Sequence, residues 1–164
     1  MVEDVVAALG FLCLGTRFKR IGERLQAQTQ FLLDELGAGV PTNRYPYLAA
    51  LDRLGPLTIG DLAQAIGISQ PAVTRSLTQL IDLGLVEAGS ATDDQRRRIV
   101  ALSPAGQRLV DVGKRDVWPR VEAAVADLCA ELSGPLLDQL AAIESGLAER
   151  PLQRRAARGK EAAR

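Results

Sequence analysis

The stretch LTIGDLAQAIGISQPAVTRSLTQLIDLGLVEAGSATDDQRRRIVALSPAGQRL, from Leu57 to Leu109, constrains the fold more than any other part of the chain. A helix start is written at Thr58, whose hydroxyl can accept a hydrogen bond from a free backbone N–H. Asp61, three residues on, supplies the charge favoured at that end. Leu62, Ala63 and Ile66 give this helix a buried face, and Gly67 suits a left-handed turn after it. Ser69 and Pro71 fit the cap and first turn of a second helix. Within it Val73, Leu77, Leu80 and Ile81 fall at i, i+4, i+7 and i+8, on one face. Gly84 ends it. Leu85–Ala88 and Arg98–Leu102 are short enough to be paired strands, joined by a polar loop from Gly89 to Arg97. Ser103 and Pro104 then cap and begin another helix. Helix, tight turn, helix and charged hairpin in that order describe a winged helix-turn-helix, which lays one helix in a DNA groove with the hairpin beside it.

Amphipathic helices flank this unit. No proline interrupts Asp4 to Leu36, where Phe11, Leu14, Phe18, Ile21, Leu25 and Leu32 step by threes and fours, with Gln28 breaking the series. Gly37, Gly39 and Pro41 end that helix. A shorter one is expected from about Arg44 to Leu54, with Pro46 in its first turn. After Ser103 a long helix carries Leu109, Val112, Trp118, Val121, Val125 and Leu128, and Pro119 is expected to kink it. Ser133, Gly134 and Pro135 break it before a last helix with Leu136, Leu140, Ile143 and Leu147. From Arg150 the tail is basic and has no periodic apolar face, so it is expected to fray. The expected fold class is mainly α: a winged helix-turn-helix with a two-stranded β-wing and long N- and C-terminal dimerisation helices. The expected organisation is an N-terminal dimerisation helix over 1–42, the winged segment over 43–103, C-terminal dimerisation helices over 104–149 and a basic flexible tail over 150–164.

Composition narrows the function. The chain has 164 residues, 47% of them hydrophobic but only 4% aromatic, which favours helix over sheet. There is no histidine, so no histidine base, ligand or pH switch. No nucleophile elbow, phosphate-binding loop or metal-ligand spacing is present, so neither an enzyme nor a cofactor protein is expected. No apolar run is long enough to span a membrane, and the N-terminus lacks the positive flank of a secretory signal, so a reducing cytoplasm is expected. Formal net charge is zero and the pI is about 6.3. That balance disfavours an architectural protein that coats DNA without sequence preference, but leaves room for a local basic face.

The candidate reading face lies on the second helix. Ser69, Gln70, Thr74, Arg75, Thr78 and Gln79 turn away from its apolar stripe. Acidic residues are absent from Ser69 through Ile81. A solvated face usually carries Glu and Lys, whereas amides, hydroxyls and an arginine are the groups that read base edges. In the hairpin Arg96, Arg97 and Arg98 form the second candidate. Strand alternation sends neighbours to opposite faces, so at most two can point at DNA, and Arg98 is placed to pair locally. Phe18, Tyr45, Tyr47 and Trp118 are candidates either for the core or for an effector pocket. Cys13 and Cys129 are small buried apolar residues or, alternatively, a redox pair at an interface.

With these residues in view, the chain resembles the MarR (multiple antibiotic resistance regulator) family. LTIGDLAQAIGISQPAVTRSLTQLIDLGLVE followed by TDDQRRRIVALSPAGQRL is similar to that family's DNA-binding domain over roughly Tyr45 to Leu109. The segment LSPAGQ after the wing is similar to the family's L-T-x-x-G. The resemblance implies a homodimer that binds a pseudo-palindromic double-stranded DNA operator, usually as a repressor, and is released by a small phenolic or lipophilic effector or by cysteine oxidation. It also implies that a wing arginine enters the minor groove, held by an aspartate. Asp94 with Arg96 fits that pair, Arg97 is the alternative arginine, and Asp93 remains an alternative acid. A winged helix turned protein-interaction module would be expected to lose these arginines and polar readers, and both are retained.

Overall fold

The computed structural model describes residues 2–90, 98–150 and Leu152. Two compact units can be distinguished, Met1–Ala123 and Ala124–Arg164.

The first unit opens with a short helix, α1 (Val5–Ala8), a 3₁₀ turn at Gly10–Cys13, and the long helix α2 (Leu14–Leu33), closed by a 3₁₀ turn at Asp34–Leu36. The unbroken helix expected from Asp4 to Leu36 is therefore interrupted. Gly10 takes φ +54°, a left-handed conformation that a helix cannot pass through. A 3₁₀ turn at Thr42–Arg44 leads into α3 (Tyr45–Leu54), with Pro46 in the first turn, where its missing N–H costs nothing. Two residues, Leu57–Thr58, form β1, followed by α4 (Ile59–Ile66) and α5 (Gln70–Asp82). Then come β2 (Val86–Ser90), β3 (Arg98–Leu102) and α6 (Pro104–Val112).

The wing strands pair antiparallel, Val86 opposite Leu102 and Ser90 opposite Arg98. A third strand was not expected. β1 lies on the other side of β3, with Leu57 opposite Val100, so the sheet order is β1-β3-β2. Two residues are too few for a period-2 pattern to register, and the strand exists because β3 has an otherwise open edge. The sheet ties the hairpin to the start of α4. Beneath it, Leu48, Leu62, Val73, Leu80, Val86, Val100 and Val110 form a closed core.

The long helix after Ser103 also departs from expectation. The ladder widens into a π-helical turn over Gly113–Val117 before α7 (Trp118–Leu128) resumes. The irregularity expected of Pro119 takes the form of this wider turn upstream of the proline. A ring that removes an N–H is accommodated by such a local change of ladder. Gly113 is buried there, and an added Cβ would stand 2.8 Å from Trp118 Nε1.

The second unit contains the end of α7, which stops at Leu128 rather than near 132, and α8 (Leu136–Glu149), entered through Gly134 at φ +79°. Leu128, Leu132, Leu137, Ile143 and Leu147 are exposed. No helix among the described residues is long and apolar enough to cross a membrane.

Candidate functional site

The geometry of the α4–turn–α5 unit follows from its caps. Thr58 Oγ1 accepts from Asp61 N at 3.1 Å and donates to the Asp61 carboxylate at 2.7 Å, which fixes the start of α4. Gly67 takes φ +75°, where its N–H bonds back to Ala63 O and turns the chain into α5. Ser69 occupies the cap position with extended backbone, but its hydroxyl makes no capping hydrogen bond. The expected side-chain cap is absent, and the Ser69 carbonyl alone begins the helix, accepting from Ala72 N and Val73 N.

On α5, Val73, Leu77 and Leu80 are buried as the spacing requires, with Ile81 half-buried. Ser76 shares their face and spends its proton on Ala72 O at 3.0 Å. Ser69, Gln70, Thr74, Arg75 and Thr78 are exposed together. Thr74 donates to Gln70 O and Thr78 to Thr74 O, both at 3.1 Å. Their protons are used within the helix, so they offer methyl groups and oxygen lone pairs outward, the chemistry that meets a thymine methyl or a base amine. The Arg75 guanidinium has no hydrogen-bond or ion-pair partner among the described residues, so a ligand can take all its donors.

Gln79 differs from the rest of the set. It is half-buried, and its Oε1 accepts from Arg44 Nε at 3.1 Å. It braces a cation at the entry of α3 rather than standing free. Arg44 is the residue that sequence reasoning missed, because only the tertiary fold brings its turn to α5. In the wing, Asp94, Arg96 and Arg97 lie outside the described residues. Arg98 opens β3, within the ladder and opposite Ser90.

The wing is anchored at its base. Buried Ser103 accepts from Gly106 N at 3.0 Å and donates to Gly84 O at 2.6 Å, while its own N–H bonds to Leu85 O at 3.0 Å. One residue thus ties the exit of α5, the hairpin and the start of α6 together.

A second feature is a cleft of about 430 Å³ walled by α2, the turn before α3, α3 itself and the start of α7. Tyr45 and Trp118 line it. Tyr47 and Phe18 do not. Tyr47 is in the core, and Phe18 lies exposed on α2. The other walls are Thr29, Leu33, Thr42, Pro46, Ala49, Val121 and Glu122. Burial, with the Asp34 carboxylate adding to it, pushes the Tyr45 phenol up from its ordinary pKa, so this group is a neutral hydroxyl. Its oxygen is buried and has no hydrogen-bond partner among the described residues. Cys13 and Cys129 are free thiols, each half-buried.

Residues 38–97 match the MarR family. Over 128 residues the chain is 31% identical to the HTH-type transcriptional regulator FarR of Neisseria gonorrhoeae, spanning 76% of this chain and 86% of that protein. The chain belongs to the MarR family. As a MarR-family protein it is a DNA-binding transcriptional regulator and not an enzyme. A mutant of Escherichia coli MarR solved with operator DNA shares the fold, at 21% identity and a TM-score of 0.58, covering 81% of this chain and 92% of that one. NadR in complex with 4-hydroxyphenylacetate is similar at 25% identity and a TM-score of 0.57, covering 83% of this chain and 90% of that one. The MarR-family assignment gives the reading face, the wing and the cleft a common setting.

Proposed function

We propose that the chain is a repressor that works as a homodimer on a pseudo-palindromic operator. In this reading α5 enters the major groove, with Arg75, Thr74, Thr78 and Gln70 facing base edges. The wing reaches the backbone or minor groove through Arg96 or Arg97. The observation that carries the reading is the acid-free, exposed face of α5 with an arginine that no described residue engages. Dimerisation is supported by apolar surface that a monomer would leave wet. Phe11 is 93%, Leu12 81% and Phe31 76% exposed at one end of the chain, and Leu137 is 79% exposed at the other. Release by a small molecule in the cleft is supported by its size and its apolar walls. The Thr42–Arg44 turn gives such a molecule a route to α5, since Thr42 lines the cleft and Arg44 holds Gln79. Occupancy that favours a different spacing of the two recognition helices lowers operator affinity by its differential affinity for the two states.

The test is titration of purified protein against DNA from upstream of its own gene, with scrambled competitor, at two salt concentrations. Competitor-resistant binding of two protomers per site is expected. Binding no tighter than to scrambled DNA, repeated across genome-wide selected fragments, would overturn the reading in favour of a winged helix that serves a protein partner.

A further inference from the structure

The cleft has a sign of charge. Its apolar walls include Leu33, Pro46, Trp118 and Val121, and among the described residues Glu122 is the one charged side chain that lines it. Neither lysine nor arginine lines it among the described residues. Of the two arginines that adjoin lining residues in sequence, Arg120 is paired with Glu35, and Arg44 keeps its charge but directs its Nε–H to Gln79 on α5. Tyr45 itself is only 8% exposed, and its hydroxyl has no partner among the described residues. An aromatic carboxylate entering here would meet the Glu122 carboxylate, with no lysine or arginine among the described lining residues to offset it. An ammonium would meet Glu122 and the ring of Trp118, the aromatic side chain that attracts cations best.

We infer that the cleft selects a lipophilic cation: a compact apolar body whose ammonium faces Glu122 and the ring of Trp118. The inference rests on the cleft being the effector site and adds the charge of its ligand.

Trp118 is the only tryptophan in the chain, so its fluorescence reports occupancy directly. The probes are tyramine, tyrosol and 4-hydroxyphenylacetate, which share a 4-hydroxyphenyl body and end in an ammonium, a hydroxyl or a carboxylate. Titrated into the full chain, tyramine should bind about three- to fivefold tighter than tyrosol, the range a partly exposed ion pair supplies. 4-Hydroxyphenylacetate should bind weakest. High salt should narrow the order. Glu122→Gln should bring tyramine to the level of tyrosol while leaving tyrosol within about twofold, which also shows that the variant is folded. Equal or tighter binding of the carboxylate, or an unchanged preference in Glu122→Gln, would overturn the inference while leaving the cleft a ligand site. Unchanged fluorescence with all three probes would remove the cleft as a ligand site, and the inference with it.

Discussion

Gly106 lies where the helix after the wing passes closest to the hairpin, and replacing it with alanine tests whether that approach is as tight as it looks. A Cβ on Gly106 would overlap the Leu85 carbonyl oxygen and stand 3.0 Å from its carbon and 3.3 Å from Leu102 Cδ2. The obstructing atoms are mainly backbone, so no side-chain rotation relieves them. Leu85 O also accepts from Ser103 N, and Ser103 holds Gly84 O, so moving Leu85 strains both bonds. Overpacking costs about 1–3 kcal/mol and a weakened buried hydrogen bond about 1 kcal/mol. The higher helix propensity of alanine returns about 1 kcal/mol. The net loss is about 2 kcal/mol, which lowers Tm by roughly 4–8 °C for a chain of this size. The assay is thermal unfolding at matched protomer concentration, because dimerisation makes Tm depend on concentration. Gly60→Ala is the control of opposite sign. Its Cβ would meet only Gln70 Nε2 at 3.4 Å and Thr58 Oγ1 at 3.7 Å, so the propensity gain should survive. An unchanged or raised Tm for Gly106→Ala would refute the close-approach argument.

Arg75→Ala should weaken operator binding roughly tenfold or more, since a bidentate base contact supplies about 1–3 kcal/mol of discrimination; an unchanged Kd by anisotropy would remove Arg75 from the interface. Arg96→Ala should flatten the dependence of log K on log salt by about 0.9, the slope of one lost phosphate contact. A slope equal to wild type would show that Arg96 does not touch the backbone. Asp52 accepts from Lys114 at 2.9 Å and Gln107 at 3.0 Å, and the Lys114 hydrogen bond, then that of Gln107, holds its carboxyl below the usual range. A depressed carboxyl stabilises the fold above its ordinary pKa and loses that contribution as pH falls through the folded value. Asp52→Asn should therefore be less stable than wild type at neutral pH by about 1 kcal/mol or less, with the gap closing below about pH 4 in urea titrations. A gap that persists at low pH would mean that packing, not charge, is what the substitution removes.

Much of the fold was legible because it is written in local terms. The α4–turn–α5 unit depends on Thr58, Gly67 and a stripe at Val73, Leu77 and Leu80, all within one stretch of chain, and each behaves as its chemistry requires. Ser103 caps α6 for the same reason. Local signals failed where two of them competed or where the partner was distant. Gly10 lies inside the proline-free stretch from Asp4 to Leu36, where nothing in the apolar spacing marks it, yet its left-handed backbone divides the helix. Pro119 announced an irregularity but not its form, because a kink and a π-turn upstream relieve the same missing hydrogen bond. β1 was invisible because its two residues are strand only by virtue of β3, some forty positions away in sequence.

The same distinction separates the two halves of the candidate site. The reading face of α5 is a property of one helix. Once Val73, Leu77 and Leu80 are inward, Thr74, Arg75 and Thr78 must be outward, and the absence of acid among them is visible in the letters alone. The cleft is a property of three distant segments. Thr29 and Leu33, Tyr45 and Ala49, and Trp118, Val121 and Glu122 are each spaced as one helical face, but nothing in any segment says that the three faces meet. Aromatic content was therefore a poor guide. It pointed equally to Tyr45 and Trp118, which line the cleft, to Tyr47, which took the core alternative, and to Phe18, which is exposed on α2, and it passed over Glu122. Gln79 shows the limit from the other side: its outward position on α5 is correct, but Arg44, thirty-five residues earlier, has already engaged it. A side chain's direction can be read from periodicity, whereas its freedom to act depends on what the rest of the chain brings within reach.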